Sequence, residues 1–507
     1  MAVFVYLFLS TFHPLRGGLP PESFLRLDPL LGLATALAAR QVSTDLLWAV
    51  PLVVITLVLG RAFCGWACPL GTILDWVGGP RGWTEPAATR GRSTGGGRRA
   101  PMGGHPTYLK YVLTAVALLS ALFTSLLFLA LDPLSLLTRT AAVAVYPAAN
   151  LAITTLQDLT APLPILGQVA VWSDERLRGS ILPVGQATFR TAEVFLALFA
   201  GLLLLNLAAS RFWCRYLCPL GGLLGLLARP SLLKRQVSDR CNRCGICAAA
   251  CRTGAIAPST YYSDPGDCIL CLDCQAVCPR QAISYGGTAA ARQYDPTRRQ
   301  ALAALGVSTV SVLALRTSTV RAEPSPFLVR PPGAGDDFLQ RCIRCGECAK
   351  VCPTSVLQPS WFEAGLEGLW TPVLVCRLGY CEWECTSCGQ VCPTQAIRRL
   401  PLEEKQATVI GTAYIDKDRC IPFADNRTCI VCEEVCPTPA KAILLDPFEF
   451  VDENGQRQTV KRPRVIRRRC IGCGVCEYKC PVPNESAIRV YATNRVISSE
   501  AGEITAR

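Results

Sequence analysis

The sequence is poor in the residues that bind haem and nucleotide cofactors. It holds only two histidines, His13 and His105, each directly before a proline, and no C-x-x-C-H run. These absences exclude multihaem wiring, and a haem held by two histidines is not expected. No G-x-G-x-x-G run follows a strand pattern and no S-G-A-T run marks a covalent flavin, so we predict no haem and no flavin.

Charge is also scarce, at 18% of the chain, although Lys and Arg exceed Asp and Glu by 51 to 38. The basic residues gather beside apolar runs, where they set membrane orientation, so nucleic acid is not an expected partner. Half of the 507 residues are apolar and the mean hydropathy is +0.30. These values are too high for an ordinary soluble enzyme and predict a protein partly embedded in a membrane.

Long apolar runs lie at residues 46–63, 108–131 and 191–210, each near the roughly 20 residues that cross a bilayer. The apolar start, MAVFVYLFLSTF, is about half that length, and we interpret it as a truncated first span. The prediction is an α-helical membrane domain of about four to five transmembrane helices over residues 1–228.

The basic residues predict the orientation of this domain. Lys and Arg number seven in residues 61–110 and twelve in 211–300, against three in 13–45 and four in 132–190. The first two segments are therefore expected on the cytoplasmic side.

Two nearly identical stretches follow apolar runs: RAFCGWACPLGT at 61–72 and RFWCRYLCPLGG at 211–222. Each half also contains Leu-Asp-Pro-Leu, at Asp28 and at Asp132, so the membrane domain is predicted to be an internal duplication. The two aspartates are read as helix caps or turns, with a polar group near a quinol headgroup as the functional alternative.

The duplicated stretches supply four cysteines, two in each half. If each helix continues to its proline, both sulfurs of a pair share one face. The set offers one further cluster or two redox-active disulfides, while inert buried thiols are the structural alternative. Its members are Cys64, Cys68, Cys214 and Cys218.

Two C-x2-C-x2-C-x3-C runs, starting at residues 241 and 268, are typical of a bacterial two-cluster ferredoxin, an α+β domain expected at 229–297. The fourth cysteine of each run is expected to bind the other run's cluster, whereas a zinc ribbon would use two cysteine pairs. One cluster is assigned to Cys241, Cys244, Cys247 and Cys278, the other to Cys268, Cys271, Cys274 and Cys251. Arg252 replaces the proline usual after a fourth cysteine.

Four further runs follow in residues 323–507, a predicted four-cluster ferredoxin domain. The runs from Cys342 and Cys470 are regular, whereas those from Cys381 and Cys420 have longer first spacings. Residues 298–322 join the two domains, with twin arginines, an apolar stretch and V-R-A before Glu323. This linker is similar to a twin-arginine export signal, or it is a plain linker helix or a further span.

The membrane stretches and the tandem runs resemble NapH-type membrane ferredoxins, and residues 296–507 resemble their NapG-type partner, an exported four-cluster ferredoxin. The resemblance implies a quinol dehydrogenase-like oxidoreductase component in a bacterial inner membrane. Its two-cluster domain is then cytoplasmic and its four-cluster domain periplasmic. The missing flavin run separates the chain from NosR-type relatives.

Resemblance to the electron-transfer subunits of molybdenum oxidoreductases implies how the last four runs pair: the first with the fourth, the second with the third. The implied sets are Cys342, Cys345, Cys348 and Cys480; Cys470, Cys473, Cys476 and Cys352; Cys381, Cys385, Cys388 and Cys436; and Cys420, Cys429, Cys432 and Cys392. Six 4Fe-4S clusters result in all. Cys376 is left over, as a spare thiol or a replacement for Cys381.

The expected function is membrane-bound electron transfer from the quinol pool to a separate redox partner, a terminal reductase or cytochrome. Two alternatives stay open. One is an electron-donating assembly factor for a metalloenzyme, and the other is an input subunit driven by a cytoplasmic ferredoxin. The basic residues Lys234, Arg235 and Arg243 suit an acidic carrier, although they equally satisfy the orientation rule.

Overall fold

The computed structural model describes most of the 507-residue chain. The described residues are 1–11, 15, 20, 22–42, 44–78, 108–178, 182–183, 185–257, 261–287, 306, 309–310, 325, 327–451, 454–492, 495–497 and 504–506. Both histidines, the basic loop after residue 78 and nearly all of the linker at 298–322 lie outside them.

Residues 1–228 form a helical unit. Its helices are α1 Ala2–Ser10, α2 Ser23–Arg26, α3 Pro29–Ala39, α4 Val50–Leu59, α5 Ala62–Trp66, α6 Pro69–Val77, α7 Leu109–Leu122, α8 Pro133–Thr140, α9 Tyr146–Thr160, α10 Pro164–Leu177, α11 Ala192–Ala208 and α12 Pro219–Leu227. Short 3-10 turns cover Thr44–Ala49 and Leu127–Leu131, and π-helical turns cover Ala141–Val145 and Trp213–Leu217.

One helix among the described residues, Pro133–Thr160, is long and apolar enough to cross a bilayer. It combines α8, a π-helical turn and α9, and it lies within residues 132–190, between the apolar runs from which the spans were predicted. Shorter apolar helices cover Pro29–Ala39, Leu47–Leu59, Leu109–Leu122 and Ala192–Ala208. The helical content is as predicted, whereas spans of full length are found only at Pro133–Thr160 within the described part of the chain.

The two halves of the helical unit exchange their packing partners. Helix α12, which follows the second duplicated stretch, packs against α3, α4 and α7. The helix after the first pair, α6, packs against α8 and α11 of the second half. Each cysteine pair is thereby held among elements of the other half.

The cysteine-rich regions contain short helices and two-stranded antiparallel sheets, which is the expected α+β content. The sheets pair β1 Lys234–Val237 with β2 Ile283–Gly286, β3 Leu357–Pro359 with β4 Pro372–Leu374, β5 Gly411–Ile415 with β8 Ile488–Ala492, β6 Ile443–Val451 with β7 Arg457–Val465, and β9 Arg495–Ile497 with β10 Ile504–Ala506. The helices are Ile246–Ala250, Asp273–Ala276, Phe338–Arg341, Glu347–Val351, Ser387–Gln390, Leu402–Ala407, Ile421–Ala424, Val431–Glu434 and Val475–Lys479, with 3-10 turns at Phe362–Ala364 and Arg467–Arg469.

The two cysteine-rich regions contact opposite ends of the helical unit. At one end of α11, Ser210 donates to the backbone oxygen of Arg252 in the first region. Before the other end, the backbone of Arg190 donates to Gln358 in the second region. Since α11 has 17 residues, these contacts are separated by about 25 Å of helix.

Candidate iron-sulfur sites

In each duplicated stretch, the second cysteine lies at a break between two helices. Cys68 and Cys218 have extended backbone angles and precede the prolines that begin α6 and α12. A residue before proline is disfavoured in the helical conformation, so each helix ends before its second cysteine. The condition for both sulfurs to share one helix face, a helix that continues to the proline, is therefore not met.

The four cysteines of the duplicated stretches nevertheless meet. Their thiol groups interact electrostatically across the two halves. They lie in one apolar core and are between 5% and 8% exposed. We call this set site M: Cys64, Cys68, Cys214 and Cys218.

Two buried arginines lie beside site M in a reciprocal arrangement. Arg61 approaches Gly221, the glycine of the second Cys-Pro-Leu-Gly stretch, where an added Cβ would lie 2.7 Å from Nη2. Arg211 approaches Gly71 of the first stretch, and its Nη1 donates to the Cys64 carbonyl at 2.8 Å. Both arginines are 2% exposed, so site M has two guanidinium groups in a poorly solvated setting where charge interactions are strong.

The first cysteine-rich region brings together the two sets that the run spacing predicts. Site A is lined by Cys241, Cys244, Cys247 and Cys278. In site B, Cys268 and Cys271 both interact with Cys251, and Cys268 also interacts with Cys274. Whether these sets bind iron remains a prediction.

The regular runs share one backbone conformation. In each regular run, the residues directly before and after the second cysteine have positive φ. They are Arg243 and Gly245, Leu270 and Leu272, Arg344 and Gly346, and Gly472 and Gly474. Left-handed conformations at arginine and leucine are unfavourable and persist only where surrounding structure enforces them. Turns of this kind direct successive backbone N–H groups inward, which suits an anionic cluster.

Site B is docked directly on site M. Arg61 donates to the carbonyl of Gly266 at 2.9 Å, and Trp66 donates to that of Leu270 at 2.9 Å. At Gly65 an added Cβ would lie 2.2 Å from the carbonyl oxygen of Ile269. Ile269, between the first two cysteines of site B, is part of the same apolar core as site M.

Arg252, the residue that replaces proline, holds the same interface. Its guanidinium pairs with Asp273 of its own region and, at 2.5 Å, with Asp75 on α6. Asp75 also receives a two-point contact from Arg211 at 2.6 and 2.8 Å. The two arginines hold the pKa of the Asp75 carboxyl below its usual value despite its partial burial.

The cysteines of the second region are not grouped as the resemblance implied. The pairing of the first run with the fourth and of the second with the third is wrong. Sites C, E and F line three separate cavities, and the cysteines of site D interact with one another. Site C is Cys342, Cys345, Cys348 and Cys392; site D is Cys352, Cys381, Cys385 and Cys388; site E is Cys436, Cys470, Cys473 and Cys476; and site F is Cys420, Cys429, Cys432 and Cys480.

The sheet pairing gives the physical reason for this correction. Strand β5 precedes the third run and pairs with β8, which follows the fourth run. The third and fourth runs are thus enclosed in one unit, and isolated bridges from Val329 to Leu374 and from Ala334 to Ile397 enclose the first and second. Adjacent runs exchange their fourth cysteines within each unit.

Cys376 belongs to none of these described sets. It is 4% exposed, and an added Cβ at Gly474 would lie 2.4 Å from its sulfur. It therefore packs behind the loop of site E, while Cys381 interacts with Cys352 and Cys385 in site D. The spare-thiol reading fits this position better than replacement of Cys381.

The cysteine sets suit iron-sulfur clusters in their spacing and environment. Among the described residues, no three histidines, cysteines or carboxylates converge tightly enough for a single metal ion. The thiols of sites A, C, E and F line cavities instead, and burial raises the pKa of Cys432 and of Cys473 to about 12. Such thiols are protonated at neutral pH, so cluster insertion must displace protons.

The sites follow one another in a single order. Cys247 of site A interacts with Cys274 of site B, and B adjoins M as described. Cys345 of site C shares the apolar core of site M. Onward contacts join C to D through Cys348 and Cys388, D to E through the backbone bond from Cys381 to Cys473 at 2.8 Å, and E to F through Cys476 and Cys432.

Known families match both kinds of cysteine motif. A profile described as a 4Fe-4S binding domain matches residues 46–85 and 191–238, which contain all of site M. A 4Fe-4S dicluster domain matches 267–357, and a further 4Fe-4S binding domain matches 236–257. The dicluster match takes one run from each region, whereas the described sites pair runs within a region.

Several curated proteins are similar to part of the chain. The methylamine utilization ferredoxin-type protein MauM of Methylorubrum extorquens is 36% identical over 212 residues, 39% of this chain and 91% of the relative. The ferredoxin-type protein NapG of Escherichia coli is 36% identical over 193 residues, 37% of this chain and 78% of the relative.

A third relative extends over more of the chain. The putative electron transport protein YccM of Escherichia coli is 26% identical over 275 residues, 53% of this chain and 64% of the relative. No solved structure matches. The profiles and the relatives share the 4Fe-4S motifs of this chain, which belongs to the family of 4Fe-4S ferredoxin-type electron-transfer proteins that includes MauM and NapG.

Proposed function

We propose that the chain is a membrane-bound quinol dehydrogenase component that carries electrons through seven 4Fe-4S clusters to a separate redox partner. The observation that carries this proposal is the single order of sites A, B, M, C, D, E and F. The helical unit at 1–228 embeds site M. The first region, 229–297, faces the cytoplasm, and the second, 323–507, faces the periplasm.

Exposed apolar side chains support the membrane location. On α11, Leu196, Leu198, Leu204 and Leu207 are 52%, 53%, 64% and 70% exposed. Helix α4 likewise leaves Val54 exposed. Contiguous apolar surface of this kind is rare on soluble monomers and marks contact with lipid or another protein.

The burial of the sites supports conduction along the proposed order. All four cysteines of site M and all four of site C are buried. In site A, at one end, Cys244 is exposed, and in site F, at the other, Cys429 and Cys480 are partly exposed. Sites M and C are thus insulated from water, whereas site D and both end sites are partly exposed.

Quinol is the proposed donor because the central site lies in the part of the chain with lipid-like surface. A quinol approaching the helical unit from the bilayer would meet site M before any other site. When bound, the cluster of site M would supply a one-electron carrier held by four thiolates. Arg61 and Arg211 would balance its negative charge.

A second candidate donor is favoured by one cleft in the first region. Lys234, Arg235 and Arg243 line it together with Cys241 of site A and Cys268 of site B. A basic cleft beside two cluster sites suits an acidic soluble electron carrier. This would be the cytoplasmic-ferredoxin input anticipated from the sequence.

The test is anaerobic reduction of the purified full chain. A quinol analogue is added, and cluster reduction is followed by electron paramagnetic resonance in the parent, in Cys214→Ser and in the control Cys376→Ser. Reduction in the parent and control that is lost in Cys214→Ser supports quinol oxidation through site M. Reduction of all three proteins by a soluble ferredoxin but of none by quinol overturns quinol as donor.

A further inference from the structure

Two buried aspartates occupy equivalent positions in the two halves of the helical unit. Asp28 caps α3, where its Oδ1 accepts from two backbone N–H groups at 2.8 and 3.3 Å. Asp132 caps α8, where its Oδ2 accepts from two backbone N–H groups at 3.0 and 3.1 Å. Both side chains are 0% exposed, so each carboxyl group uses one oxygen as a helix cap.

The remaining oxygens of the two carboxyl groups need a proton between them. The Oδ2 of Asp28 and the Oδ1 of Asp132 are buried and receive no hydrogen bond from the described residues. The two side chains lie close enough to form a hydrogen bond with each other once one of them carries a proton. Ionised carboxylates only accept hydrogen bonds, and two adjacent carboxylates cannot both ionise in a dry core. The geometry is therefore that of a pair sharing one proton.

The pair lies between site M and site C. Asp132, at the start of α8, interacts with Cys218 of site M. Arg139, on the last turn of the same helix, interacts with Cys345 of site C. Helix α8 has eight residues, which is about 12 Å. A change of charge at site M is thus felt by the carboxyl pair.

The charged groups on neighbouring elements have partners of their own. Arg139 donates to the Ala130 carbonyl at 3.1 Å, and Arg344 of the second region donates to the Leu126 carbonyl at 2.7 Å. On α2, Arg26 pairs with Glu22. Farther along the neighbouring helices, Asp75 of α6 pairs with Arg211 and Lys110 of α7 pairs with Asp267. Glu193, in the first turn of α11, is exposed to solvent.

We propose that Asp28 and Asp132 form a proton-binding site that holds one proton when site M is oxidised and takes up a second when site M is reduced. One electron from a quinol or a chemical reductant enters site M, and one proton from solvent joins the carboxylate of the pair. The net charge of the core then stays constant, which avoids an uncompensated charge at low dielectric. The electron half rests on the proposed function, whereas the shared proton does not.

The shared proton is tested by infrared spectroscopy of the full chain in H2O and D2O. The variant Asp28→Asn/Asp132→Asn removes both acids but keeps two good helix caps, since asparagine caps as well as aspartate. A buried protonated carboxyl band in the parent that is absent from this variant supports the pair. A parent without such a band overturns the proposal, whether or not site M is reducible.

Coupling is tested by measuring the midpoint potential of site M against pH. In the parent, the midpoint potential of site M should fall by about 59 mV for each unit by which the pH rises, the value for one proton per electron. The Asp28→Asn/Asp132→Asn variant should lose this slope. The control Ser135→Ala keeps the backbone N–H that donates to Asp132 and should keep the slope. An equal slope in parent and double variant overturns the coupling. A carboxyl band with a site M that cannot be reduced instead overturns the proposed function and leaves the shared proton standing.

Discussion

At the residue scale, the grouping of cysteines separates the observed sites from the pairing implied by resemblance. Cys342 and Cys392 belong to one site, whereas Cys480 belongs to another. Both pairings use the same cysteines, so only variants that combine two residues distinguish them.

Iron content measures this difference. The double variant Cys342→Ser/Cys392→Ser should lose about four iron atoms, because both changes fall on one cluster. The matched variant Cys342→Ser/Cys480→Ser should lose about eight, because two clusters are affected. Colorimetric iron analysis of the anaerobically purified chain gives the numbers, and the reverse ranking would restore the implied pairing.

Arg211 connects site M, α6 and the first region through one guanidinium. Arg211→Gln should lower the midpoint potential of site M, because a positive charge beside it is removed. Lost charge-assisted hydrogen bonds should also lower the free energy of unfolding by about 1.5–3 kcal/mol. Redox titration and denaturant unfolding measure the two effects. Arg240→Gln, an exposed change in the first region, should alter neither. A potential unchanged in Arg211→Gln would mean that this charge is not felt at site M.

The sequence predicted which cysteines are cluster ligands better than it predicted which of them share a site. Run spacing alone assembled sites A and B, because the two runs lie in one short α+β unit. The later runs are four in number, and spacing does not say which two share a unit. The roles of Arg61, Arg211 and Arg252 were missed, although the arginine three residues before Cys64 and before Cys214 is a repeated feature.

At the element scale, glycines control how closely the first region approaches the helical unit. The carbonyl of Ile269 occupies the space that a side chain at position 65 would need. The contact between sites B and M therefore depends on Gly65.

Gly65→Ala should separate the first region from site M. Overpacking of this kind costs about 1–3 kcal/mol, and electron transfer from site B to site M should slow. Stopped-flow reduction measures the rate. Gly201→Ala on α11, where nothing lies within 4 Å of an added Cβ, is the matched control and should transfer electrons at the parental rate. Equal rates in both variants would show that this contact does not carry the electron.

Helix boundaries were predictable where apolar runs were uniform. The runs at 108–131 and 191–210 contain α7 and α11, although the helices are shorter than the runs. The helix at Pro133–Thr160 escaped prediction because Asp132-Pro133 and Pro147 were natural breaks in the sequence. Proline within the first turn of a helix is tolerated, and a π-helical turn before Pro147 absorbs the other break.

At the scale of the whole molecule, the order of the sites could not be predicted from the sequence. Motifs identify which cysteines form a set, but the succession of sets depends on how distant elements dock. Contacts such as Trp66 to Leu270 and Arg344 to Leu126 join residues more than 200 positions apart. These contacts put site M between the two cysteine-rich regions.

The central claim is that electrons pass between the two regions only through site M. The direct measurement uses sealed vesicles with the full chain in their membrane, an impermeant reductant offered to the first region and an impermeant oxidant on the other side. Oxidant consumption should be fast in the parent and in Cys376→Ser, and at least tenfold slower in Cys214→Ser. Consumption at the parental rate in Cys214→Ser, with the remaining clusters intact, would contradict the account.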